Sequence, residues 1–164
     1  MRIYLLITYI FFYSTSSFAE IKDFKIESFS DIEDYYDGEK FLVMLWSVDC
    51  PPCIQELTIL KELNQKNNLS NIVLINVDGK AENENVQDII TMYSLENLDN
   101  WIFADSYMEK LRYKIDQNWA GELPRSYYYE PNVERLTITG MIPKDIFFEM
   151  TDTKPKAESL QQTP

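Results

Sequence analysis

The chain has 164 residues, 45% of them hydrophobic and 26% charged, which suits one globular domain and leaves little room for two. Its 15 Lys plus Arg stand against 27 Asp plus Glu, a formal charge of -12 that argues against nucleic acid as a partner. Histidine is missing altogether, which removes Ser-His and Cys-His nucleophilic pairs and every zinc site that uses His, and two cysteines cannot build a four-thiolate site.

Arg2 supplies a positive start, Ile3 to Tyr13 is apolar apart from Thr8, and Ser14 to Ala19 turns small and polar. This is the pattern of a secretory signal peptide, with cleavage expected after Ala19. The apolar stretch is much shorter than the roughly 20 residues of a spanning helix, so no permanent membrane anchor is expected. The domain itself is assigned to residues 20–150. Phe41 to Trp46 is a continuous apolar run of strand length, suited to a central strand covered on both faces. From Cys53 onward, Ile54, Leu57, Leu60 and Leu63 recur at spacings of three until Asn67-Asn68, predicting a helix with one buried face.

Asn71 to Val77 reads as a second buried strand, Asn85 to Tyr93 as a helix, Trp101 to Ala104 as a short strand and Tyr107 to Ile115 as a helix. Arg125 to Tyr129 and Glu134 to Thr139 read as two strands around a Pro131-Asn132 turn, and Lys144 to Met150 as a closing helix. Ahead of these, Asp31 to Glu39 is expected to be a short helix and turn with a solvated acidic face. Residues 151–164 are polar and contain two prolines, the composition of a flexible tail. The whole reads as an α/β sheet with an antiparallel hairpin at one side.

Cys50 and Cys53 fall between a buried strand and a helix, at the carboxyl end of the sheet, where α/β proteins tend to place their sites. Outside the cytosol, C-x-x-C is by default a redox pair. Pro51 and Pro52 suit a first helical turn, whose N–H groups have no intrahelical partner, while the Cys53 amide remains free to point at the Cys50 sulfur. The helix dipole favours a Cys50 thiolate by up to about 2 kcal/mol, and Asp49 opposes it by roughly 1 kcal/mol at a wet surface. A modestly stabilised thiolate makes a stable disulfide, so the pair is expected to lean towards reductant, with Cys50 attacking and Cys53 resolving. The competing reading is a structural staple, yet closing so small a loop removes only about 2 kcal/mol of unfolded-state entropy.

Leu45-Trp46-Ser47-Val48-Asp49-Cys50-Pro51-Pro52-Cys53-Ile54-Gln55-Glu56-Leu57 resembles the exported thioredoxin-like proteins of the TlpA group. Trp46, both cysteines, Pro52 and Glu56 fall in the family's register. Gly38-Glu39-Lys40 is similar to its entry to the first central strand, Asp78 to the residue after the second, Leu123-Pro124 to its cis-proline site, and Gly140 to the glycine after the last strand. The likeness spans about residues 24 to 150. It implies a thioredoxin-like fold, a central mixed β-sheet flanked by helices, in which Leu123 offers main-chain hydrogen bonds to a partner chain beside the cysteines. In this register Glu56 reads as a partly buried carboxyl that holds or relays the proton of the resolving thiol, against the alternative of a surface helix Glu, and Trp46 reads equally as an apolar wall beside the thiols or as an ordinary buried strand tryptophan.

The chain departs from the family at four places. Asp49 replaces a tryptophan, Thr58 a helix proline, and Arg125-Ser126 the frequent Thr-Thr, while Met44 stands where cytosolic thioredoxins carry a buried Asp. Arg125 either favours acidic partners or offsets Asp49. Tyr127, Tyr128 and Tyr129, with Tyr35 and Tyr36, are expected to pack in the core with satisfied hydroxyls rather than form an aromatic surface. Asp78, Glu82 and Glu84 alternate as calcium ligands do but lack the rest of a hand motif, so a solvated loop is expected.

The expected function is a periplasmic or secreted thiol-disulfide oxidoreductase, monomeric, with no cofactor and no metal. Its substrates would be disulfide-containing exported proteins, apocytochrome c among them, and a membrane or periplasmic thiol donor would recharge it. The alternatives are a disulfide oxidase or isomerase on the same fold, and a binding module with a structural disulfide.

Overall fold

The structure is a computed structural model that describes residues 21–67 and 69–151. In chain order the elements are β1 (Lys22–Phe24), α1 (Ser28–Tyr35), β2 (Phe41–Trp46), α2 (Pro51–Asn67), β3 (Ile72–Asn76), a short 3-10 turn (Lys80–Glu82) and α3 (Asn83–Met92). They continue with β4 (Asp99–Phe103), α4 (Met108–Ile115), β5 (Arg125–Tyr129), β6 (Leu136–Thr139) and α5 (Lys144–Thr151). Among the described residues, six strands form one sheet in the order β1-β4-β3-β2-β5-β6. β1, β4, β3 and β2 run parallel, and β5 and β6 form the antiparallel hairpin at one side.

Every residue of β2 is buried, as its unbroken apolar run requires of a strand covered on both faces. One face packs Leu42, Met44 and Trp46 against Cys53, Leu57, Leu60 and Leu63 of α2, with Val86 and Ile90 of α3 and Phe147 and Met150 of α5. The other packs Val43 and Leu45 against Phe29 and Ile32 of α1 and Leu111 and Ile115 of α4. Because β5 is antiparallel to β2, with Leu45 opposite Arg125, its amino end lies beside the carboxyl end of β2. That brings Leu123-Pro124 to the end of the sheet from which the cysteine turn leaves.

Several boundaries differ from the expectation. β1 is not apparent from Lys-Asp-Phe and exists because β4 supplies its hydrogen bonds, Phe24 stacking on Phe103 with ring centroids 5.3 Å apart. α1 begins at Ser28, three residues before the acidic run, and buries Phe29 and Ile32; Tyr36, just after it, is buried too, so the segment is a packed element and not merely a charged face. Thr151, placed in the tail by composition, is the buried last residue of α5, where its hydroxyl donates to the Phe147 carbonyl at 2.8 Å. The rest of that tail and the leader at 1–19 lie outside the described residues. Among the described residues no helix is long and apolar enough to cross a membrane.

Candidate active site

Cys50 is the residue just before α2, and it caps that helix with its sulfur. Its carbonyl accepts the Ile54 N–H at 3.1 Å, and its Sγ accepts the Cys53 N–H at 3.3 Å. This is the N-cap pattern in which a side chain takes a first-turn donor, with sulfur in place of the usual oxygen. Pro51 and Pro52 contribute no N–H, so Cys53 is the one residue of the first three whose amide reaches the sulfur. The two cysteines form a disulfide with Cα atoms 5.2 Å apart. Cys50 is 9% exposed and Cys53 1%, so Cys50 is the more accessible residue of the pair although both are largely covered.

The approach to Cys50 is braced from β3. The Trp46 carbonyl accepts the Val77 N–H at 3.0 Å, and Asp78 Oδ2 accepts both the Val48 N–H at 2.8 Å and the Asn76 amide at 2.9 Å. Ser47 Oγ takes the Asp49 N–H at 3.2 Å, leaving the Asp49 side chain exposed. The family likeness marked Asp78 only as a register point. Its role as the anchor of the 47–49 turn depends on a contact across two strands. An Asp directly after a buried strand, two residues past an Asn, was the signal available.

Glu56 lies on the buried stripe of α2 between Cys53 and Leu60, and is 1% exposed. Its Oε1 accepts the Ile142 N–H at 2.7 Å. Burial pushes the carboxyl up to about 7, against the opposing pull of that N–H. The group therefore changes protonation near neutral pH. Burial is more complete than the partly buried carboxyl expected, because the segment after β6 folds over it. The same segment anchors the proline, since the Gly140 N–H donates to the Pro124 carbonyl at 2.8 Å.

The Leu123-Pro124 bond is cis. Leu123 is partly buried and packs against the cluster that holds Trp46, Cys50 and Cys53. Trp46 is buried there with its indole N–H unpartnered. Across from Met44, the buried Ser126 hydroxyl also has no partner, so no charged relay occupies this pair of strand positions. Arg125 does not stand free for acidic partners. Its guanidinium pairs with Asp116 at 2.5 Å and bonds to Thr139 and Tyr127. Tyr127, Tyr128 and Tyr129 are buried or half-buried and donate to Asp116, Glu130 and Glu33, as expected of core tyrosines, whereas Tyr35 is exposed. Among the described residues no group of three or more His, Cys, Asp or Glu is placed to hold a metal ion.

No protein-family model matches the chain, and no curated protein matches its sequence. Solved structures match its fold. A secreted disulfide oxidoreductase from Mycobacterium tuberculosis, homologous to E. coli DsbE, superposes with a TM-score of 0.55 at 16% identity, covering 72% of this chain and 84% of that one. A thiol:disulfide interchange protein of the thioredoxin family from Chlorobium tepidum TLS gives 0.54 at 18% identity over 73% and 81% of the two chains. A DsbF homologue from Corynebacterium diphtheriae gives 0.52 at 15% identity over 73% and 74%. The fold is thioredoxin-like, a mixed sheet flanked by helices, as the sequence predicts.

Proposed function

We propose that this chain is an exported thiol-disulfide oxidoreductase of the TlpA-like type, reducing disulfides of periplasmic or secreted proteins through Cys50 and Cys53. The observation that carries this reading is the Cys50 sulfur at the amino end of α2, bonded to Cys53 and receiving its N–H at 3.3 Å. In the dithiol form, the Cys50 thiolate attacks one sulfur of a partner disulfide, forming a mixed disulfide and releasing the other as a thiolate. The Cys53 thiolate then attacks Cys50 Sγ, closing the Cys50–Cys53 bond and releasing the second partner thiol. Two electrons pass to the partner, and a membrane or periplasmic dithiol donor restores the pair.

Glu56, charged and uncharged in comparable amounts near neutral pH, is assigned the proton of Cys53 in the second step. Trp46 forms the apolar wall of the thiol site, and Leu123 with Pro124 binds the partner's extended chain. The reducing direction is favoured by what the helix start lacks. Two prolines withdraw two N–H groups that would otherwise stabilise a thiolate, and the exposed Asp49 adds a like charge. The export assignment draws on the leader pattern at 1–19 and on the secreted Mycobacterium tuberculosis protein of the same fold.

Insulin reduction with dithiothreitol as donor tests the reading. The wild type is expected to accelerate the reaction, and Cys50→Ser to abolish the acceleration. Cys53→Ala is expected to accumulate mixed disulfides with partner proteins. Wild-type turnover no faster than dithiothreitol alone would leave the disulfide a structural staple.

A further inference from the structure

The nine residues that lead from α4 to the start of β5 contain no helix or strand, yet they are pinned at both ends by one carboxylate. Asp116 opens the segment with its side chain only 9% exposed. Its Oδ1 accepts the Asn118 N–H at 2.9 Å, which folds the chain into an Asx turn, and its carbonyl accepts the Trp119 N–H at 3.1 Å. Its Oδ2 accepts Arg125 Nη2 at 2.5 Å and the Tyr127 hydroxyl at 3.3 Å, both from β5. Between the ends, Trp119 is buried against α1 and α4 side chains and donates its indole N–H to the Glu122 carbonyl at 2.9 Å. Arg125 follows Pro124 directly, so its grip on Asp116 bears on the Leu123-Pro124 unit.

We infer that Asp116 is a positioning residue for polypeptide partners: through Arg125 and the Asx turn it fixes the segment that presents the Leu123 main chain beside the cysteines. This rests on the proposed oxidoreductase reading and extends it to how partners are selected. The side-chain hydrogen bonds of Asp116 run to Asn118, Arg125 and Tyr127, and none of them to α2 or the 47–49 turn. Glu122 is exposed and Gly121 and Leu123 are half-buried, so this stretch lies at the surface, within reach of a docking strand. Recognition through it suits an extended protein segment, whereas a small disulfide needs only the sulfur.

The test compares wild type and Asp116→Asn in steady-state reduction of insulin and of hydroxyethyl disulfide, with amide hydrogen exchange over residues 117–123. Asparagine keeps the size and one acceptor but weakens the charge-assisted bond to Arg125. The expected result is a roughly tenfold rise in KM for insulin, the scale of one lost charge-assisted bond, with kcat and hydroxyethyl disulfide turnover within about twofold. Exchange over 117–123 is expected to quicken. If Asp116→Asn does not fold, Arg125→Lys, which keeps the charge without the forked geometry, carries the same comparison. Equal losses on both substrates, no change on either, or unaltered exchange overturns the inference while wild-type activity stands. A wild type that reduces neither disulfide overturns the oxidoreductase reading itself, and the positioning role with it.

Discussion

Glu56 sits where a helix stripe would ordinarily carry a leucine, and its position follows from the three-residue and four-residue spacings that also bury Cys53 and Leu60. A carboxylate in that place is costly, so the folded state prefers the neutral acid. With the folded value at about 7 and the ordinary value at 4.5, the native protein holds a proton that the unfolded chain has already lost between those two limits. Stability therefore falls as pH rises from 4.5 to 7 and levels off above, a loss on the order of 3 kcal/mol. Glu56→Gln keeps an acceptor for the Ile142 N–H and removes the titration. In urea unfolding of the oxidised protein across this range, the variant is expected to lack the decline and to be the more stable of the two at pH 8. Parallel pH profiles would show that Glu56 titrates normally. The spacing from Cys53 made a common side with the cysteine legible in the sequence, but complete burial depends on Ile142, 86 residues away.

At the level of elements, β2 and α2 were legible because each carries its own signal, an unbroken apolar run in one and a stripe in the other. β1 was not, since three residues with one buried side chain have no period and its pairing partner lies 79 residues further on. The same holds for the support of the cysteine turn: Asp78 acts on Val48 across 30 residues, and local pattern cannot report such a contact. Asp78→Ala would strip the Val48 N–H and the Asn76 amide of their common acceptor. The expected cost is about 1–2 kcal/mol in denaturant unfolding, with a severalfold faster modification of Cys50 by iodoacetamide after reduction, as the turn loosens. Unchanged modification kinetics would mean that the turn holds its shape without Asp78. Arg125 teaches the same lesson in charge. In sequence it read either as a cation for acidic partners or as an offset to Asp49, and only the fold reveals Asp116 beside it.

For the whole molecule, the order β1-β4-β3-β2-β5-β6 gathers the cysteine turn, the cis proline and the Gly140-Ile142 segment at one end of the sheet. The alternation of strands and helices implied a layered sheet, and the Pro131-Asn132 turn implied the hairpin. Strand order and the brace from Gly140 to Pro124 depend on non-local pairing, which no local pattern in the sequence reports. Everything proposed for the site depends on Cys50–Cys53 being a reversible couple poised for reduction, and a redox titration of the purified protein against dithiothreitol, read by alkylation of the free thiols, tests this most directly. The expected result is a two-electron transition between about -230 and -300 mV, on the reducing side of the known range. A transition near about -120 mV would make the protein an oxidant, and a disulfide resistant below about -300 mV would make it structural; either contradicts a reductant.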